Sequence, residues 1–325
     1  MHKADFNKIL KEGFFKILMH DKRNALYLLY YSAVESVLLL SIPLASSFII
    51  NSLLAQASLS LLILGLIVVV ILMIVLVLQV IKEYIIEKFQ QKIFVSNAIE
   101  IGLLAEGLRH EHNSAGEEKS QKYMNYFFDI LSVQKIFPLL VLDGAGLFMK
   151  ILVSLLLLLA FDPFLFGYGL TYFVIFVSVL LFLGFGGFQK AVERSNAKHE
   201  AIYYLQHIPS EKVQSQTKIL EQLDAHLQTF VTRRRGMFFI IIRQLAWMFF
   251  MEGVILSGFL ILGGLLVISG ALPVGEFVAA EIIVVTIVYA IRAFVKQLDY
   301  IYDMVEGIYK IDKLSHALEE QKSEH

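Results

Sequence analysis

Residues 59–81 read LSLLILGLIVVVILMIVLVLQVI and run directly into Lys82-Glu83-Tyr84. A stretch of this length without a charge covers a hydrocarbon core about 30 Å thick as a helix at 1.5 Å per residue. Strands are excluded, because an open sheet edge leaves backbone groups unsatisfied in lipid. Alternating ten-residue segments, the mark of a membrane barrel, are absent. The residues beyond the apolar run matter as much. Tyr84, Ile85, Phe89, Ile93 and Phe94 recur at three- and four-residue spacing, so the helix is predicted to continue well past the membrane surface.

Five further stretches match the first in kind, giving six candidate spans over residues 25–50, 59–81, 137–160, 164–187, 245–268 and 274–295. The fold class expected is an all-α membrane protein. The composition agrees: 57% of the 325 residues are hydrophobic and only 18% charged, against roughly a quarter charged in soluble domains. Net charge is -1, which gives no argument for a nucleic-acid partner. There is no cysteine, so disulfides, thiolate metal sites and thiol nucleophiles are all excluded. The N-terminal segment is charged throughout and does not read as a cleavable signal.

Orientation is set by the basic residues. Six precede the first span (Lys3, Lys8, Lys11, Lys16, Lys22 and Arg23), seven lie between Lys82 and Lys135, and nine between Lys190 and Arg243. The three short connections, Asn51–Ser58, Phe161–Pro163 and Ser269–Pro273, carry neither Lys nor Arg. This asymmetry places both termini and both long loops in the cytoplasm, with the chain in the cell (inner) membrane.

The two loops, 82–136 and 188–244, are nearly equal in length and share a plan. The first goes out as a helix, breaks at His112-Asn113-Ser114-Ala115-Gly116-Glu117, and returns through Tyr123, Phe127, Ile130, Leu131 and Ile136. The second goes out through Val192 to Leu205, breaks at His207-Ile208-Pro209-Ser210-Glu211, and returns through Ile219, Leu223, Leu227, Phe230 and Val231. Arms of about 20–25 residues predict helical hairpins reaching roughly 30–35 Å from the membrane. Ahead of the first span, within residues 1–24, Phe6, Ile9, Leu10, Phe14, Ile17 and Leu18 share one helical face. That pattern suits an elbow helix in the membrane interface, or else a soluble helix packed on the loops. Residues 311–325 form a charged tail.

This layout resembles the transmembrane domain of type I ABC exporters, over nearly the whole of residues 25–310. Ser41-Ile42-Pro43-Leu44 leading to Ile49-Ile50-Asn51 is similar to the first span and outer turn of the toxin and peptide secretion branch, and Val141-Leu142-Asp143 to that branch's entry into span three. The stretch Gly270-Ala271-Leu272-Pro273-Val274-Gly275-Glu276-Phe277-Val278-Ala279 is similar to the outer turn and start of span six. The resemblance implies a permease subunit working by alternating access, as a homodimer or a heterodimer with a related six-helix chain. It also implies that the loop tips, Asn113, Ser114, Gly116 and Glu117 with His207, Pro209, Ser210 and Glu211, couple to an ATPase.

The sequence departs from that family in one respect. The phosphate-cradling G-x-x-x-x-G-K-[ST] loop occurs nowhere; Gly184-Phe185-Gly186-Gly187-Phe188-Gln189-Lys190 has glycines and a lysine at the wrong spacing. No ABC signature segment is present either. The chain is therefore expected not to be an enzyme and to bind no cofactor, with ATP and Mg held by an ABC ATPase subunit. The alternatives are that the ATPase belongs to a continuation of the chain, or that transport has been lost and a membrane scaffold or regulator remains. An ATP-independent carrier is a further rival.

Ionisable side chains within spans cost roughly 2.5–3.5 kcal/mol on insertion scales and are functional candidates for that reason. They are Glu35, Asp143, Lys150, Glu252, Glu281 and Arg292. Lys150, Glu281 and Arg292 are the candidates for a substrate cavity. The competing reading makes these residues interhelical ion pairs or places them beyond the membrane, and for Glu35, Asp143, Glu252 and Arg292 it is preferred. Asp143 and Lys150 are two turns apart and do not pair directly. Arg233-Arg234-Arg235 reads as a topology-setting cluster rather than a lipid-headgroup site. His110, His112, His199, His207 and His226 are scattered along the loops, and no metal site is expected. Glycines 184, 186, 187, 258, 263 and 264 either permit close helix packing or mark helix ends.

Overall fold

The computed structural model describes residues 21–108, 144, 146–208 and 216–309, and among these the chain is helical with no strand. In chain order the helices are α1 (Lys22–Leu54), α2 (Ser58–Leu108), α3 (Gly146–Phe161), α4 (Pro163–Leu183), α5 (Gly187–His207), α6 (Gln216–Ile268), α7 (Val274–Lys296) and α8 (298–309). The helices carrying α1, α2, α4, α6 and α7 are long and apolar enough to cross a membrane. The described part of the third candidate span lies in α3, a shorter apolar helix. Residues 1–20 of the elbow segment, the first loop's tip and return arm, Asp143 and the charged tail lie outside the described residues, and 22–24 open α1.

The connections opposite the basic loops are tight, each for a local reason. Between α1 and α2, Gln56 takes a left-handed φ of 55° and the Ala57 N–H reaches back to the Ser52 carbonyl at 2.9 Å. A single residue, Asp162, separates α3 from α4. Its carboxylate accepts the Phe164 and Leu165 N–H groups at 2.7 and 3.3 Å, and Pro163 opens the helix where no N–H is needed. Between α6 and α7, Gly270 adopts φ 75° and Pro273 precedes the new helix. These turns fall at 55–57, 162 and 269–273, inside the three connections read from sequence.

The other end is built from length. The 51 residues of α2 and the 53 of α6 correspond to roughly 75–80 Å each, more than twice the hydrocarbon thickness. α5 runs back along the first half of α6. Tyr204 donates from its hydroxyl to the Ile219 carbonyl (3.3 Å) and to Gln222 (2.9 Å). Farther along the pair, Arg233 meets Glu193 at 2.7 Å and the Lys190 ammonium meets the Gly236 carbonyl at 3.3 Å.

The core is centred on α7, which packs against α1 and α6. Ala279, Ala280 and Ile283 are fully enclosed, and the same apolar cluster takes in Leu40, Leu158, Leu165, Phe176, Met248 and Phe259. Between apolar helices in lipid, close contact and interhelical hydrogen bonds hold the bundle rather than release of water. Small residues supply that contact here. A Cβ at Gly275 would meet the Asn51 side chain at 2.5 Å, and one at Gly263 would meet Phe277 at 2.7 Å. Phe277 in turn stacks on Phe259 with 5.8 Å between ring centroids. Against this core α2 is peripheral: it packs on α1 and leaves Leu59, Leu62, Leu66, Val70 and Met73 exposed.

Candidate functional site

Three clusters of charged side chains link helices of this bundle among the described residues, beside smaller pairs. The first sits at the basic end of α1 and α2. Glu35 of α1 forms an ion pair with Lys82 of α2, and Gln79, one turn back from Lys82, donates to the other carboxylate oxygen at 3.1 Å. Both charged side chains are nearly enclosed, at 12% and 10% exposure. A lone carboxylate or ammonium would be held at high cost there; together, with Gln79 meeting the second oxygen, they are compensated.

This ion pair is in the wall of a cavity of about 690 Å³, open on one side and bounded by α1, α2, α3 and α7. Lys150 of α3 lines it, as do Ser32, Ser36 and Glu83. Small side chains make the room: Gly146 on α3, Ala290 and Ala293 on α7. Ser36 donates to the Ser32 carbonyl at 2.7 Å and lies 3.2 Å from the Gly146 carbonyl, which fixes α1 against α3 at the inner wall. Among the described residues, the Lys150 ammonium has neither a hydrogen-bond partner nor an ion-pair partner.

The second cluster joins α6 to α7. Arg292 grips Glu252 with two nitrogens, Nε at 3.0 Å from Oε2, and its guanidinium lies against the rings of Phe249 and Tyr289 at 5.8 and 5.1 Å. Two parallel donors on one carboxylate make this pair strongly directional. Glu281 lies three turns from Arg292 on the same face of α7, at 100° per residue. Ala290 is on the opposite face and borders the Lys150 cavity. The three residues proposed from sequence therefore do not converge: Lys150 lines a cavity, Arg292 is bound to Glu252, and Glu281 is not in the wall around Lys150.

The third cluster ties α5 to α8. Arg194 faces Asp299 and Glu306 at 3.5 Å each and pairs with Asp303, and Lys198 meets Glu306 at 3.1 Å. Burial pushes the Asp303 carboxyl above the usual carboxylate range although Arg194 works against it. Asp299, Asp303 and Glu306 are spaced by four and three residues, a one-face signal that the sequence carries and that a loop-centred reading overlooks. A separate pair anchors the foot of α1, where Asp21 meets Lys92 of α2 at 2.7 Å. Burial opposes ionisation of Asp21, but Lys92 and Asn24 outweigh it and hold the carboxyl below its ordinary value.

Of the loop-tip residues, only His207 is among those described. It closes α5, with Nδ1 2.8 Å from the Tyr203 carbonyl oxygen and its ring 3.9 Å from that of Tyr203. Asn113, Ser114, Gly116, Glu117, Pro209, Ser210 and Glu211 lie outside the described residues, as do His110 and His112. Among the described residues no group of His, Asp and Glu is disposed to hold a metal ion. Arg233 is engaged with Glu193 across the α5–α6 pair. Comparison with known proteins gives no match to a family model and no match among curated proteins.

Proposed function

We propose that this chain is the membrane-spanning permease subunit of an exporter of the type I ABC kind, driven by a separately encoded ATPase. On this reading α3 belongs to the third of the six spans, and the basic ends of α2, α5 and α6 stand in the cytoplasm. Two such chains, identical or related, enclose the transport path. The observation that carries the proposal is the pairing of α5 with the first half of α6. It makes a two-helix stalk continuous with the spanning part of α6, so a push at its tip reaches the bundle without crossing a flexible joint. Closure of ATPase subunits on the tips at 113–117 and 207–211 would then bias the bundle between two states. Lys150 and Glu281 are the residues proposed to meet substrate.

Deleting residues 112–117 or 208–212 is expected to abolish ATP-dependent transport in proteoliposomes while membrane insertion persists. Full activity after either deletion rejects the coupling role. Co-purification of an ATP-binding subunit separates the permease from a motorless scaffold. An ATP-independent carrier is favoured by one observation, that the Lys150 cavity is built within a single chain; transport by the chain alone, without ATP, would decide for it.

A further inference from the structure

The Lys150 cavity has a definite chemical polarity once its groups are accounted for one by one. Glu35 is fully engaged, one oxygen by Lys82 and the other by Gln79. Ser36 donates to backbone carbonyls. One charged group in the wall remains unmet. The Ser32 hydroxyl also has no hydrogen-bond partner, but it is sealed behind the wall, with 2% of the residue exposed. The Lys150 ammonium carries three donors and no acceptor, and none of the described residues pairs with it. The other charge is Glu83, which is exposed at the rim and therefore hydrated. So the one unmatched charge that the interior presents is cationic, and it offers donors only. Leu76, Val80, Leu147 and Phe294 line the same space with apolar surface.

We infer that this cavity is a binding site for an organic oxyanion, a carboxylate or phosphate ester with an apolar body, whose charged oxygens are held by Lys150. A ligand would complete this ammonium just as Lys82 completes Glu35 on the neighbouring wall. A volume of about 690 Å³ falls within the range of small-molecule sites. The ligand is either a water-soluble carboxylate or an anionic lipid headgroup; both present the same oxyanion. The inference rests on the permease reading only in treating the ligand as cargo. Binding itself needs no ATPase.

The test is equilibrium binding to the purified full chain in nanodiscs, with no ATPase present. In phosphatidylcholine discs, 4-phenylbutyrate is titrated by calorimetry; in a second arm, phosphatidylglycerol carried through purification is measured by native mass spectrometry. Saturable binding of either probe is expected, weakened roughly tenfold to hundredfold by K150Q, as for loss of a charged hydrogen bond. K150R should retain it within a few-fold. L147W, which fills the cavity and keeps the charge, should also lose it. Phenylbutyrate binding identifies a soluble ligand, and retention of phosphatidylglycerol alone a lipid. Absence of both, or binding unchanged in K150Q or in L147W, overturns the site and leaves the permease proposal to its own test.

Discussion

Glu35 and Lys82 are separated by 47 positions in the chain, yet each is what allows the other to be buried. Removing one leaves the other as an uncompensated charge, which costs about 3–5 kcal/mol, whereas replacing both with apolar residues of similar size is far less costly. E35L and K82M are therefore each expected to lower the unfolding midpoint in detergent strongly. The double variant E35L/K82M should recover most of the loss, and a double-mutant cycle measures the difference. Additive losses would show that the two side chains act independently. Lys150 should behave in the opposite way: with no partner among the described residues, K150Q leaves nothing stranded and should not reduce stability.

At the scale of elements, the junction between α4 and α5 sets where an apolar helix gives way to the polar one that pairs with α6. Gly184 and Gly187 approach their neighbours too closely for a side chain: a Cβ on Gly187 would lie 2.5 Å from the Tyr302 ring, and one on Gly184 2.6 Å from Gln244. Between them Gly186 turns the chain with φ 80°. Tyr302 and Gln244 are themselves joined, and Gln244 donates to the Leu180 carbonyl at 3.3 Å. G187A is expected to destabilise by about 1–3 kcal/mol, as overpacking does, while G264A, with open space around it, should be neutral. Equal melting of the two variants would mean that the α8 contact is not tight.

Much of this level was legible in the sequence, for physical reasons that also mark its limit. Apolar run length and turn formers locate helices and their ends, so the stretches read at 274–295 and 245–268 meet α7 and the apolar end of α6. The span read to residue 187 overshoots α4, because a glycine's role depends on its neighbours: 184–186 turn and 187 opens the next helix. The same holds for charges. Arg292 reads as a cavity candidate or an ion pair until Glu252 is seen beside it. The cavity around Lys150 was not legible at all, since Ser32, Gln79 and Gly146 come from three different helices. α8 is legible, although the apolar runs draw attention away from it: Leu298, Ile301, Tyr302, Val305 and Ile308 recur at helical spacing.

For the whole molecule, the structure has two unlike ends. One is closed by turns of one to a few residues, and the other extends as long helices held by ion pairs: Asp21 with Lys92, Glu193 with Arg233, and Arg194 and Lys198 with the acids of α8. The α8 contacts tie the segment after α7 to the α5–α6 pair, so that pair and the rest of the bundle are coupled through side chains as well as through backbone. Exposed apolar faces on α2 suit lipid or a second chain.

The account depends above all on the long helical end standing in the cytoplasm. The chain has no cysteine of its own, so single cysteines can be introduced at exposed positions at each end: A55C and S269C in the short turns, N196C and T232C on the stalk. Intact cells are treated with a membrane-impermeant maleimide, before and after permeabilisation. A55C and S269C are predicted to label in intact cells, and N196C and T232C only once the membrane is opened. Labelling of N196C or T232C from outside would contradict the account.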